Sequence, residues 1–136
     1  MSLKSVDTFL HKPDVGLLII RVVTGVVMVV FGVNKFMGGQ ARLEGLGQAI
    51  GVFGITFWPL FWGFMAALTE TVGGFLLVIG FLFRPAAFFL FFTLLVAVAT
   101  KWGGPFQEMA FPLVMVALFA GLLFTGPGRF QVKTGG

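Results

Sequence analysis

The chain has 136 residues, 58% of them apolar and only 10% charged, with a formal net charge of +4. Counting its glycines, the apolar share reaches about 73%, against roughly 45–50% for a soluble domain. So few ionisable side chains cannot clothe a soluble globule, which excludes a cytosolic globular enzyme. The absence of Cys excludes disulfides, thiol nucleophiles and Cys-ligated metal clusters. The single His, His11, excludes a bis-His haem within one chain, and the only two Ser, Ser2 and Ser5, lie ahead of the apolar runs. No metal site and no catalytic residue is therefore expected. The basic residues are scattered singly, so nucleic acid is not an expected partner.

In chain order, Val15–Val33 is a 19-residue apolar run with one charge, Arg21. Gly45–Phe83 holds one charge, Glu70, and is too long for a single span. Pro85–Thr100 and Met109–Gly128 are charge-free. A helix crossing ~30 Å of hydrocarbon needs roughly 20 residues, so the sequence predicts four transmembrane helices over about 14–36, 57–83, 85–102 and 107–126. Together they form a single membrane domain: an all-α, integral membrane four-helix bundle with short loops and one longer loop between the first two helices. Arg21 costs about 2.5–3.5 kcal/mol at a helix centre, but each Val, Leu, Ile or Phe around it returns roughly 0.3–0.6, so the first helix still inserts. That run is too long for a signal-peptide core, and the N-terminus is expected to be retained.

The connections carry breakers. Phe83-Arg84-Pro85 reads as a tight turn with Pro85 opening the third helix. Lys101–Glu108 contains Gly103-Gly104-Pro105. Gly126-Pro127-Gly128 ends the fourth helix, and a mobile polar tail to Gly136 is expected. In the long connection, Met37–Ile55, Leu43, Leu46, Ile50 and Phe53 fall at helical spacing. That pattern fits a helix lying flat in the interface, while the glycines at 45, 47, 51 and 54 fit a capping loop.

Four spans put both termini on one side. That side collects Lys4, Lys12, Arg84, Arg129 and Lys133, and the other collects Lys35, Arg42 and Lys101. The asymmetry places both termini in the cytoplasm. Trp58, Trp62 and Trp102 fall at the opposite interface.

Ionisable groups inside a membrane are costly and mark function or a specific partner. Depth counted along each helix leaves Arg21 and Glu70 within joint reach, so they form the candidate intramembrane polar pair. One reading is a structural ion lock; another is a proton or ligand site on Glu70 tuned by Arg21. A third has Arg21 snorkelling to the interface with Glu70 protonated. Arg21, Thr24, Gly25, Met28, Gly32 and Lys35 share one helical stripe, and Gly63, Ala66, Ala67, Glu70, Gly73 and Gly74 share another. Gly25, Gly32, Gly73 and Gly74 would let backbones approach closely. Asn34 and Lys35 read as an interface anchor, and the Phe cluster at 88, 89, 91 and 92 as lipid-facing filler or an apolar ring pocket.

Two segments carry a family resemblance: GLLIIRVVTGVVMVVFGVNKF (Gly16–Phe36) and ETVGGFLLVIGFLFRPAAFFL (Glu70–Leu90). An Arg precedes a Gly and then Gly-x-x-Lys in the first; a Glu, a Gly pair, another Gly and an Arg mark the second. Together they resemble the DoxX family of small four-helix bacterial membrane proteins, in length, span number and order over nearly the whole chain. The sequence departs from the family's pattern at Asn34, where many relatives carry His or Gln.

The resemblance implies a bacterial inner-membrane protein associated with quinol-linked oxidation or with oxidative-stress and thiol-redox partners. It implies an accessory subunit, without catalysis of its own, of a redox membrane complex. An oxidoreductase partner or a homo-oligomer is expected beside the lipid bilayer. A quinone is the expected cofactor, not covalently bound, with Thr24, Asn34 and Lys35 as candidate contacts and Arg21 or Lys35 as donor to its carbonyl. The competing functions are a small proton-coupled transporter using Glu70 and a purely structural assembly protein.

Overall fold

The computed structural model describes residues 3–132. Lys133 and the rest of the tail to Gly136, for which the sequence predicts mobility, lie outside the described residues. Among those described there are helices and no strands. Four helical segments are long and apolar enough to cross a membrane. The all-α bundle is the fold that the apolar runs dictate.

A short helix, α1 (Leu3–Leu10), precedes the first span. It lies outside the apolar runs, although Leu3, Val6 and Leu10 share one face. Span one is α2 (Pro13–Met37), opened by Pro13, whose missing N–H costs nothing in a first turn. At 25 residues it measures ~37 Å. The long connection is helical, not a loose loop. It forms α3 (Gly39–Gly47) followed by a 3-10 turn (Gln48–Phe53), with Leu43 buried and Phe53 stacked on Phe92 at a 6.3 Å centroid distance. The glycines permit this rather than prevent it. A Cβ at Gly47 would lie 1.6 Å from the Pro59 carbonyl oxygen, and one at Gly63 would lie 1.7 Å from that of Leu43.

Span two has three parts: α4 (Pro59–Leu68), a π-turn (Thr69–Gly73) and α5 (Gly74–Ile79). It ends at Gly80, which takes the left-handed conformation (φ 75°) that closes a helix. The turn to the third span is thus Gly80–Leu82, a few residues earlier than Phe83-Arg84-Pro85. Spans three and four are α6 (Phe83–Thr100) and α7 (Phe106–Thr125).

Met28, Leu77, Ala87, Leu90, Met115 and Phe119 form the core where the four spans meet. Span two packs against α2 on one side and α6 on the other, and α6 packs against α7. Phe31 and Phe111 close the ring between α2 and α7, edge to face at 5.3 Å. Only 22–33% of each span is buried within the chain, so most of the apolar surface meets lipid or a partner. Phe88, Phe89 and Phe92 belong to that outer surface, whereas Phe91 packs against the core.

Candidate functional site

The register of α2 against span two decides which polar groups meet. A Cβ at Gly25 would fall 2.6 Å from the Gly74 carbonyl oxygen, and one at Gly74 would fall 2.5 Å from that of Gly25. Farther along the same seam, Gly32 faces Thr71 and Ala67. The backbones therefore touch, and Arg21, one turn before Gly25, lies level with Leu77 and Val78. Glu70 sits seven residues before Leu77 on span two, ~10 Å by helical rise. Gly73 faces Leu90 of α6 instead of α2.

Arg21 does not pair with Glu70. It is 1% exposed, and its guanidinium donates to four backbone carbonyls. Nε reaches Leu77 O at 3.0 Å and Nη2 reaches Val78 O at 3.2 Å. Nη1 reaches Pro127 O at 2.8 Å and also Phe130 O. Span two ends here, and the last carbonyls of a helix have no intrahelical donor. Each finds one: Leu76 O takes the Gly80 N–H, Leu77 O and Val78 O take Arg21, and Ile79 O takes the Val132 N–H. A cation at a helix C-terminus also meets the negative end of its dipole.

The C-terminal segment is pinned in the same place. The Arg129 N–H donates to Asp14 Oδ1 at 3.0 Å, so the expected free tail is fixed as far as Val132. Depth counted along the sequence misleads here because it starts both helices at one plane and ends span two at Phe83. In fact α2 projects about two turns beyond Ile79, and the C-terminal segment wraps the projection.

Glu70 pairs with Lys35 instead, through Oε1. Lys35 stands near the C-terminal end of α2 and leans into the bundle; its side chain is 20% exposed, that of Glu70 only 4%. The second carboxylate oxygen, Oε2, is enclosed and has no hydrogen-bond partner. Glu70 lies in the π-turn, a widening that often marks functional positions in helices. Thr71 Oγ1 donates to Ala67 O at 2.9 Å within that turn, so it does not serve the carboxylate. The indole Nε1 of Trp62, two turns before Glu70 on the same helical row, is likewise enclosed and unpartnered.

The remaining candidates separate by depth. Thr24 is buried and donates its hydroxyl to Ile20 O at 2.6 Å, which leaves no free donor. Arg21 places four of its five donors on backbone carbonyls and is buried at the far end of the seam, so neither side chain is open to a ring approaching from outside. Asn34 is exposed next to Lys35 near the C-terminal end of α2. Among the described residues, no three His, Cys, Asp or Glu side chains converge on a metal position. Arg21, Lys35 and Glu70 stand out in the sequence, whereas the acceptors at Pro127 and Phe130 do not. A backbone carbonyl carries no residue-type signal.

The DoxX family model matches residues 16–103, a stretch that contains Arg21, Lys35 and Glu70. Among curated proteins, the chain is 32% identical over 115 residues to "Putative oxidoreductase CatD" of Bacillus subtilis (strain 168), covering 83% of this chain and 81% of the relative. No solved structure matches.

Proposed function

The chain belongs to the DoxX family, and from that premise we propose that it is a non-catalytic membrane subunit of a redox assembly in the bacterial inner membrane. In this reading it holds a quinone head group at the outer end of the bundle. The similarity to a protein named as an oxidoreductase supports a redox setting. One observation carries the site: Lys35, a partly exposed ammonium, stands among partly exposed aromatic rings. Phe31 meets Phe111 at 5.3 Å, and Phe36 meets Phe64 at 5.5 Å. A quinone needs donors for its carbonyl oxygens and an apolar bed for its ring. Lys35 uses one N–H on Glu70, and the exposed Asn34 amide adds donors beside it.

When bound, a quinone supplies the two-electron, two-proton chemistry that this chain lacks. With no Cys and one His, the chain offers neither thiolate ligands nor paired imidazoles for a redox centre of its own. A partner oxidoreductase would then meet the large apolar surface left open on the spans.

The test is quinone content after gentle purification, measured by lipid extraction. The expected result is enrichment over an unrelated protein from the same membrane, lost in Lys35→Met with Asn34→Ala. Equal quinone content in the protein and the control would defeat the reading.

A further inference from the structure

We propose that Glu70 is a proton-binding site of the bundle, loaded from the outer side by way of Lys35. The proposal rests on the Lys35–Glu70 geometry and on neither the quinone nor a redox partner.

A purely structural lock would satisfy both carboxylate oxygens, because a bare charged oxygen in an apolar interior is expensive. Here Oε1 meets Lys35 while the enclosed Oε2 meets nothing. The neighbouring hydroxyl that could have served it, Thr71, is turned to Ala67 O. Because Oε2 is sealed, a ring or headgroup cannot reach it, whereas a proton needs no cavity. Proton transfer from Lys35 Nζ to Oε1 breaks an N–H bond, forms an O–H bond and converts the carboxylate to a neutral acid, which removes the charge from the enclosed Oε2. The Lys35 amine takes a replacement proton from water at its exposed end, so it returns to an ammonium and its ion pair becomes a weaker ion–dipole contact.

The charged groups around the π-turn make Lys35 the one that governs it. The elements packed against this turn are α2, α4, α5 and α6. On α2, Asp14 and Arg21 are engaged with the C-terminal segment at the inner end. On α6, Arg84 sits in the first turn and donates to Leu123 O. Neither α4 nor α5 carries an ionisable side chain. Lys35 is also the member of the pair that touches the exterior, with 20% of its side chain exposed. Once Glu70 is neutral, the long Lys35 stem can carry its ammonium back to the interface, as Lys side chains near helix ends do. Loading of the proton is thereby tied to an outward swing of Lys35.

The experiment is infrared difference spectroscopy of delipidated, reconstituted protein through a pH titration. Expected is a carboxylic-acid C=O band that appears on acidification, shifts in D2O and is missing in Glu70→Gln. Its midpoint should move in Lys35→Met and stay put in Arg84→Gln. In sealed vesicles the band should respond first to a pH jump on the face where a cysteine placed at 101 is labelled. Glu70→Asp keeps a carboxylate in place should the Gln variant misfold, and it should show a displaced band. No titrating band that depends on residue 70 would overturn the proposal. So would a band that responds first from the opposite face, or a midpoint indifferent to Lys35.

Discussion

At the residue scale, two cations on one helix do different work. Arg21 offers a planar fork of five donors, and four carbonyls from two separate chain segments use it. Removing it strands buried acceptors at ~1–3 kcal/mol each. Arg21→Met should therefore lower the melting temperature and release the C-terminal segment. Limited trypsinolysis reads that release, because Arg129 is held by Asp14 in the intact fold. Proteolysis follows the population of the open form, so cleavage after Arg129 is expected to accelerate about tenfold or more in the variant. An unchanged rate would mean that Arg21 does not hold the segment. Lys35 is coupled to a single acid. In a double-mutant cycle, Lys35→Met and Glu70→Gln should deviate from additivity by about 0.5–3 kcal/mol. Arg21→Met with Glu70→Gln should add within roughly 0.5 kcal/mol, since the two are ~10 Å apart in helical rise. The reverse pattern would restore the Arg21–Glu70 pair.

At the element scale, glycine seams set the register that separates those two sites. Gly25 and Gly74 leave no room for a Cβ on either backbone, and Gly32 sits as close to Thr71. A Cβ at Gly121 on α7, by contrast, would meet nothing within 4 Å. Gly25→Val and Gly32→Val should each destabilise by at least about 1–3 kcal/mol, the usual cost of overpacking. Gly121→Ala should be neutral or gain up to ~1 kcal/mol of helix propensity. Thermal melts in one detergent compare all three, and a costly Gly121→Ala would place a partner on that face. Much of this is legible in the sequence. Charge-free runs reveal the four spans, and small residues at helical spacing mark Gly25, Gly32 and Gly74 as places of close backbone approach. They do not reveal which residue each one meets, and Gly73 turns to Leu90. Two elements are not legible, for a shared reason. The π-turn around Glu70 and the wrapping of residues 127–132 depend on which backbone groups lack partners, and no side-chain pattern records that. The pairing of Glu70 is hidden with them, because depth counted from helix ends cannot see one helix overshoot another.

At the scale of the whole molecule, the same correction bears on how the bundle sits in the membrane. Counting Lys and Arg outside the four apolar stretches sets Lys4, Lys12, Arg84, Arg129 and Lys133 on the terminal side against Lys35, Arg42 and Lys101 on the other. Lys35 leans inward onto Glu70 and so belongs to the bundle, not to a loop. The connections and span ends that remain carry Lys4, Lys12, Arg84 and Arg129 on one side among the described residues, and Arg42 and Lys101 on the other. The positive-inside rule counts loop residues near span ends, so the inward lean of Lys35 sharpens the bias toward cytoplasmic termini. Trp58 and Trp102, both highly exposed, cluster at the opposite end, where indole rings suit a membrane–water boundary. Because the chain contains no Cys, single cysteines report sidedness without background. Lys101→Cys should react with an impermeant maleimide added to intact cells, and Lys4→Cys should react only after the membrane is opened. Labelling of Lys4→Cys in intact cells would invert the bundle. The Lys35 end would then face the cytoplasm, and the proton proposed for Glu70 would come from there.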